Sequence, residues 1–79
     1  MKDFEKLLKK LPKNLRLKLI DVIDKLASNE LENLDINPLS DHYQVYRCRV
    51  GKIRVIFRKM GDRNFIMDMG FRGDIYKKW

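Results

Sequence analysis

At 79 residues the chain is about half the length of a typical domain, which predicts one small fold and excludes a two-domain enzyme with a deep enclosed pocket. Its 44% hydrophobic content is enough for one core despite the 37% charged fraction, but its apolar runs are too short to cross a membrane or to form a secretory signal within residues 1–30. The net charge of +7 is carried by residues 47–79, with ten Lys/Arg against three Asp, because residues 1–46 hold eight of each sign; so concentrated a field attracts nucleic acid or an acidic protein.

Residues 3–11 (DFEKLLKKL) set Phe4, Leu7, Leu8 and Leu11 on one helical face. Asp3 is the expected cap, and Pro12 ends this helix and opens the next. Over 13–28, Leu15, Leu19, Val22, Ile23 and Leu26 keep the helical period, which predicts an antiparallel helical hairpin. Residues 29–42 lose periodicity and read as a loop pinned by Leu34, Ile36 and Leu39. From Tyr43 the period becomes two, predicting strands over 43–50, 53–59 and 64–71. The intervening turns at Gly51-Lys52 and at 60–63 are so short that neighbouring strands must be antiparallel. Residues 72–79 read as a short tail.

Alternation places Tyr46, Cys48, Val50, Ile53, Val55, Phe57, Phe65, Met67, Met69 and Phe71 on the face that receives the helices. The opposite face takes Arg47, Arg49, Arg54, Arg58, Asp68, Gly70 and Arg72, together with Ile56 and Ile66. The expected fold class is therefore α+β, a helical hairpin on one face of a three-stranded antiparallel sheet. Five arginines on one surface repel each other across strands, which makes them a poor device for solubility alone. Arginine's fixed fork of donors suits phosphate and stacks on bases. Asp68 is expected to hold Arg54 or Arg58 in place. His42, the lone histidine, and Cys48, the lone cysteine, do not assemble a metal set or a nucleophile with its base. Cys48 alternates into the core, and the expected compartment is the reducing cytoplasm.

Taken in order, YRCRVGKIRVIF and MGFRGDIY resemble the RelE/ParE toxin superfamily, whose hairpin reads Tyr-Arg-x-Arg-x-Gly-x-x-Arg-x-x-Tyr/Phe and whose end reads Gly-His-Arg-x-x-x-Tyr. LPKNLRLKLIDVIDKL and DINPLSDHY fit the helix hairpin and the loop that precede it, so the likeness covers residues 4–77. It implies a single toxin domain over 1–79 with a cognate antitoxin as partner. For RelE-like members it implies cleavage of mRNA on the ribosome, and for ParE-like members inhibition of DNA gyrase. A non-catalytic nucleic-acid-binding relative and a decayed member are the remaining alternatives. Carried over residue by residue, the basic positions fall on Arg47, Arg49, Arg54 and Arg72 and the terminal aromatic on Tyr76, which favours the RNA-cleaving branch. The likeness departs in two places. The usual first strand is absent, leaving an open sheet edge through which a homodimer could form. Phe71 stands where the pattern has His, leaving no histidine there as proton donor.

The chemistry implied is metal-free and needs no cofactor: the ribose 2′-OH attacks the adjacent phosphate, giving a 2′,3′-cyclic phosphate and a free 5′-OH. Arg54 and Arg72 are expected to neutralise the phosphorane. Arg47, Arg49, Arg58, Lys77 and Lys78 are expected to bind RNA. Tyr76 is expected to stack on a base or exchange a proton, with anchoring of the tail as its structural alternative. The base remains unassigned. The ribosome is expected to complete so shallow a site by aligning the message, and no membrane partner is expected.

Overall fold

The leucine pattern forms two helices, α1 (Lys2–Lys10) and α2 (Lys13–Ala27), in a computed structural model that describes residues 2–75, 77 and 79. Pro12 lies at the N-cap of α2 with ψ 150° rather than inside its first turn. Just past the Ser28 C-cap of α2 the chain turns left-handed at Asn29, φ 57°. The N–H of Asn29 returns to the Leu26 carbonyl at 3.2 Å and that of Glu30 to Lys25 at 2.8 Å, which satisfies carbonyls the helix end would otherwise orphan. Asn64 Nδ2 donates to the same Leu26 carbonyl and to Asn29 Oδ1, at 3.0 Å each, tying the helix end to the sheet.

The sheet has four antiparallel strands in chain order, β1 (Asp35–Pro38), β2 (Val45–Val50), β3 (Ile53–Met60) and β4 (Arg63–Phe71). The α+β class expected from the sequence holds, but the strand count is four rather than three. The additional strand lies in the stretch expected to be loop. It runs beside β2 with Asp35 opposite Arg49 and Ile36 opposite Cys48, so that edge of β2 is covered. Four residues that include Asn37 and Pro38 carry too little alternation and β propensity to announce a strand.

Beneath the helices Leu19, Val22, Leu26, Cys48, Val50, Ile53, Val55, Phe57 and Met69 form the main core. The face assignment changes along β4. Ile56 pairs with Asp68, yet Phe57 pairs with Ile66, so Met67 is the extra residue of a β-bulge. Ile66 consequently packs towards the helices, while Phe65 and Met67 stay 49% and 42% exposed. The expectation that Phe65 and Met67 belong to the core face, and Ile66 to the outer one, is thus corrected. Strict alternation fails at the bulge because one residue there does not advance the pairing.

The outer face is not bare either. Residues expected to form a plain tail begin with a short helical turn, α3 (Arg72–Ile75). Ile75 is buried with Val45 and Ile56 in a second cluster joined by Leu39 and Trp79. Ile56 stood among the arginines by alternation, and it is this apolar residue that α3 and Trp79 cover. Trp79 is fixed by an edge contact to His42 at 5.2 Å and by donating its indole N–H to Asp68 Oδ2 at 3.2 Å. The other Asp68 oxygen accepts the Met69 N–H at 2.9 Å. Asp68 therefore has a structural role, holding the Trp79 indole and the Met69 N–H.

Candidate nucleic-acid cleft

Hairpin geometry decides which cations meet. Strands β2 and β3 are joined by Gly51-Lys52, with Val50 opposite Ile53. Only a left-handed residue closes so tight a turn with the right twist, and Gly51 has φ +58°. A Cβ at Gly51 would stand 3.1 Å from Leu15 Cδ1 of α2, so the turn is also pressed against the helix. Antiparallel pairing returns the end of β4 to the same end of the sheet, where Gly70 faces Arg54 and Phe71 faces Ile53. The Arg72 N–H then donates to the Lys52 carbonyl at 3.0 Å, clasping the turn to the start of α3.

An open cleft of about 400 Å³ lies between these segments, lined by Arg49, Gly51, Lys52, Arg54, Phe71, Arg72 and Gly73. Arg54 forms its floor. It is only 3% exposed, which corrects the expectation of a solvent-facing side chain. Its Nη1 donates to the carbonyls of Gly51 at 2.9 Å and Ile53 at 3.0 Å, and these bonds hold the guanidinium in one orientation. Arg49, on the adjacent strand directly opposite Arg54, is exposed and paired with Asp35 Oδ2 at 3.5 Å. A second open cavity, lined by Lys18, Asn33, Asp35, Arg49 and Gly51, adjoins the first across Arg49 and the turn.

The residues proposed from the sequence divide accordingly. Arg49, Arg54 and Arg72 come together in the cleft. Arg47 is half-buried one row along β2, between Asn37 and Ile56, and stands outside the lining. Arg58 is exposed and paired with Val45 and Phe65 near the far end of the sheet. Lys77 follows α3, exposed, with its N–H on the Asp74 carbonyl at 3.3 Å. Tyr76 and Lys78 lie outside the described residues. Sequence reasoning missed Lys52 and Phe71 as members of the cleft. The signal was available: the tip of one hairpin and the end of the next strand must share one end of an antiparallel sheet.

Among the described residues no three His, Cys, Asp or Glu gather where they could hold a metal ion. Cys48 is fully buried in the core, and its thiol is pushed up to about 11 by burial and secondarily by the nearby Asp35 carboxylate. No described helix is long and apolar enough to cross a membrane.

No protein-family model and no curated protein matches the chain. Among solved structures, a chain in the crystal structure of a RelB–RelE antitoxin–toxin complex from Methanococcus jannaschii matches at 30% identity with a TM-score of 0.77, over 100% of this chain and 95% of that one. The chain belongs to the RelB–RelE toxin–antitoxin family. Within that family frame, the α+β fold expected from the hairpin and Gly-x-Arg pattern is present across the whole match. The cationic cleft then lies where the two halves of that pattern meet.

Proposed function

We propose that the chain is the toxin of a type II toxin–antitoxin pair, an endoribonuclease that cuts mRNA held in the ribosome. The observation that carries the reading is the convergence of Arg49, Lys52, Arg54 and Arg72 on one open cleft, with Arg54 already oriented by two backbone carbonyls. The basic excess of the chain supports the toxin side of the pair, because an acidic antitoxin is its electrostatic complement.

In this reading the 2′ oxygen attacks the adjacent phosphorus, the new O2′–P bond forms as the P–O5′ bond breaks, and the strand separates into 2′,3′-cyclic phosphate and 5′-OH ends. The 2′ proton leaves and the 5′ oxygen gains one. Arg54 and Arg72 meet the charge that builds on the non-bridging oxygens. A donor whose geometry is set before the reaction needs no reorganisation, and removing one in comparable oxyanion sites lowers rates about 100- to 1,000-fold. Arg49 and Lys52 hold flanking phosphates and set the register of the strand. Tyr76 is proposed as the base-stacking or proton-exchanging aromatic. The ribosome supplies the alignment that an open cleft of this size lacks.

The test is incubation with translating ribosomes and mapping of new 5′-OH ends on the message. Wild type generates such ends, and Arg72→Ala reduces them by about two orders of magnitude. Equal cleavage by the variant, or intact message with wild type, removes the nuclease assignment. Inhibition of supercoiling without cleavage would replace it with a gyrase-directed toxin.

A further inference from the structure

Among the described residues Phe71 is the one aromatic side chain that lines the cationic cleft, and neither phosphate binding nor folding accounts for it. As the partner of Ile53 it has the parity of the core face, and Ile53 is completely buried. Phe71 nevertheless keeps 38% of its surface open at the cleft, between Arg49, Lys52, Arg54 and Arg72. Exposed apolar surface is common on β4, where Phe65 stands opposite the single cation Arg58. Phe71 differs in lying within a cleft lined by four.

We propose that Phe71 is a stacking platform for an unpaired base of the RNA strand whose phosphates the cleft cations hold. The inference rests on the nuclease reading and adds to it the form of substrate that the site accepts. A phosphodiester seated on Arg54 and Arg72 carries a base on either side, and an open aromatic ring beside those cations receives its flat face. Base–aromatic stacking of this kind tolerates any sequence, because every base has a flat face. Stacking requires that the base be out of a helix, so the cleft selects single strands over duplexes. It reads ring area rather than a hydrogen-bond code, so it favours purines over pyrimidines. This assigns a role to the aromatic found where the family pattern has a histidine: the position positions the substrate rather than moving a proton.

Three 2′-O-methyl heptamers of identical backbone charge, with all-adenine bases, all-uracil bases or no bases, separate the ring from the phosphates. Binding is read by anisotropy with the full chain. Wild type binds the adenine heptamer about tenfold more tightly than the abasic one, with uracil between. Phe71→Leu keeps an apolar side chain and loses the adenine-to-abasic ratio, while its abasic affinity is unchanged; Phe71→Trp restores or enlarges the ratio. Arg72→Ala weakens all three ligands by a similar factor. A Phe71→Leu protein that retains the adenine-to-abasic ratio overturns the stacking assignment while the arginine site stands. An Arg72→Ala protein that binds all three as wild type does overturns the site itself. Should Phe71→Leu fold poorly, Phe71→Trp alone decides: an unaltered ratio overturns the assignment and a raised one supports it.

Discussion

The position of the cations, not their number, is what the cleft asserts, and salt dependence measures it. Replacing Arg72 or Arg58 with Gln lowers the net charge of +7 by the same single unit, yet only Arg72 lines the cleft. Each phosphate neutralised on a single strand contributes about −0.7 to the slope of log K against log salt. The cations of the cleft (Arg49, Lys52, Arg54 and Arg72) therefore set a slope near −3 for a short single-stranded oligonucleotide. Between 100 and 400 mM salt, wild type should lose about 50-fold in affinity and Arg72→Gln about 20-fold. Arg58 lies four residues beyond Arg54 on β3. At about 3.3 Å per residue that is roughly 13 Å, beyond the screening length of about 10 Å at 0.1 M salt and further beyond it at higher salt. Arg58→Gln should thus keep the wild-type slope. Titration of a labelled heptamer at four salt concentrations decides the matter. Equal flattening by both variants would show that net charge alone drives binding and would refute the convergence.

Other perturbations follow from single contacts. Asp35→Asn frees Arg49 from its carboxylate partner and should tighten oligonucleotide binding about two- to fivefold, since a half-exposed pair is worth up to about 1 kcal/mol; unchanged or weaker binding would take Arg49 out of the cleft's function. Gly51→Ala forces a left-handed alanine against Leu15 and should cost about 1–2 kcal/mol, read as a fall of about 5–10 °C in Tm; an unchanged melt would remove the strain assigned to that turn. Cys48 keeps its proton up to about 11 in the fold, against 9.0 when solvated. Below pH 9 both states are neutral there, whereas between 9 and 11 the unfolded chain binds fewer protons. Stability relative to Cys48→Ala should therefore decline by up to about 3 kcal/mol across that window, and parallel denaturation curves from pH 8 to 11 would refute it.

The helices and β2 to β4 were legible because their apolar residues repeat at 3.6 and at two, and because Gly51 and Gly61 mark short turns. Strand β1 was not, because its pairing is imposed by the edge of β2 rather than by its own residues. The bulge at Met67 was invisible for a related reason: alternation continues through the sequence, and only the partner strand reveals that a residue has been skipped. Of the site, the arginine inventory was readable but its division was not. Arg47, Arg49, Arg54 and Arg58 share a face by parity, yet tertiary neighbours decide that Arg54 is enclosed by the turn carbonyls, Arg49 remains open, and Arg58 stands apart. Ile75 and Trp79 cover Ile56 in a way that no local pattern announces.

The bulge gives β4 two ends with separate obligations. On one side Asn64 is bound to the close of α2; on the other Gly70 and Arg72 are held to Arg54 and Lys52. A residue that advances the chain without advancing the ladder works between them as an expansion joint. The unpaired Met67 bends the strand between those two ends and resets which face its residues present. The tip and the arginine end of the strand thus answer to different neighbours, the first to α2 and the second to the β2–β3 turn.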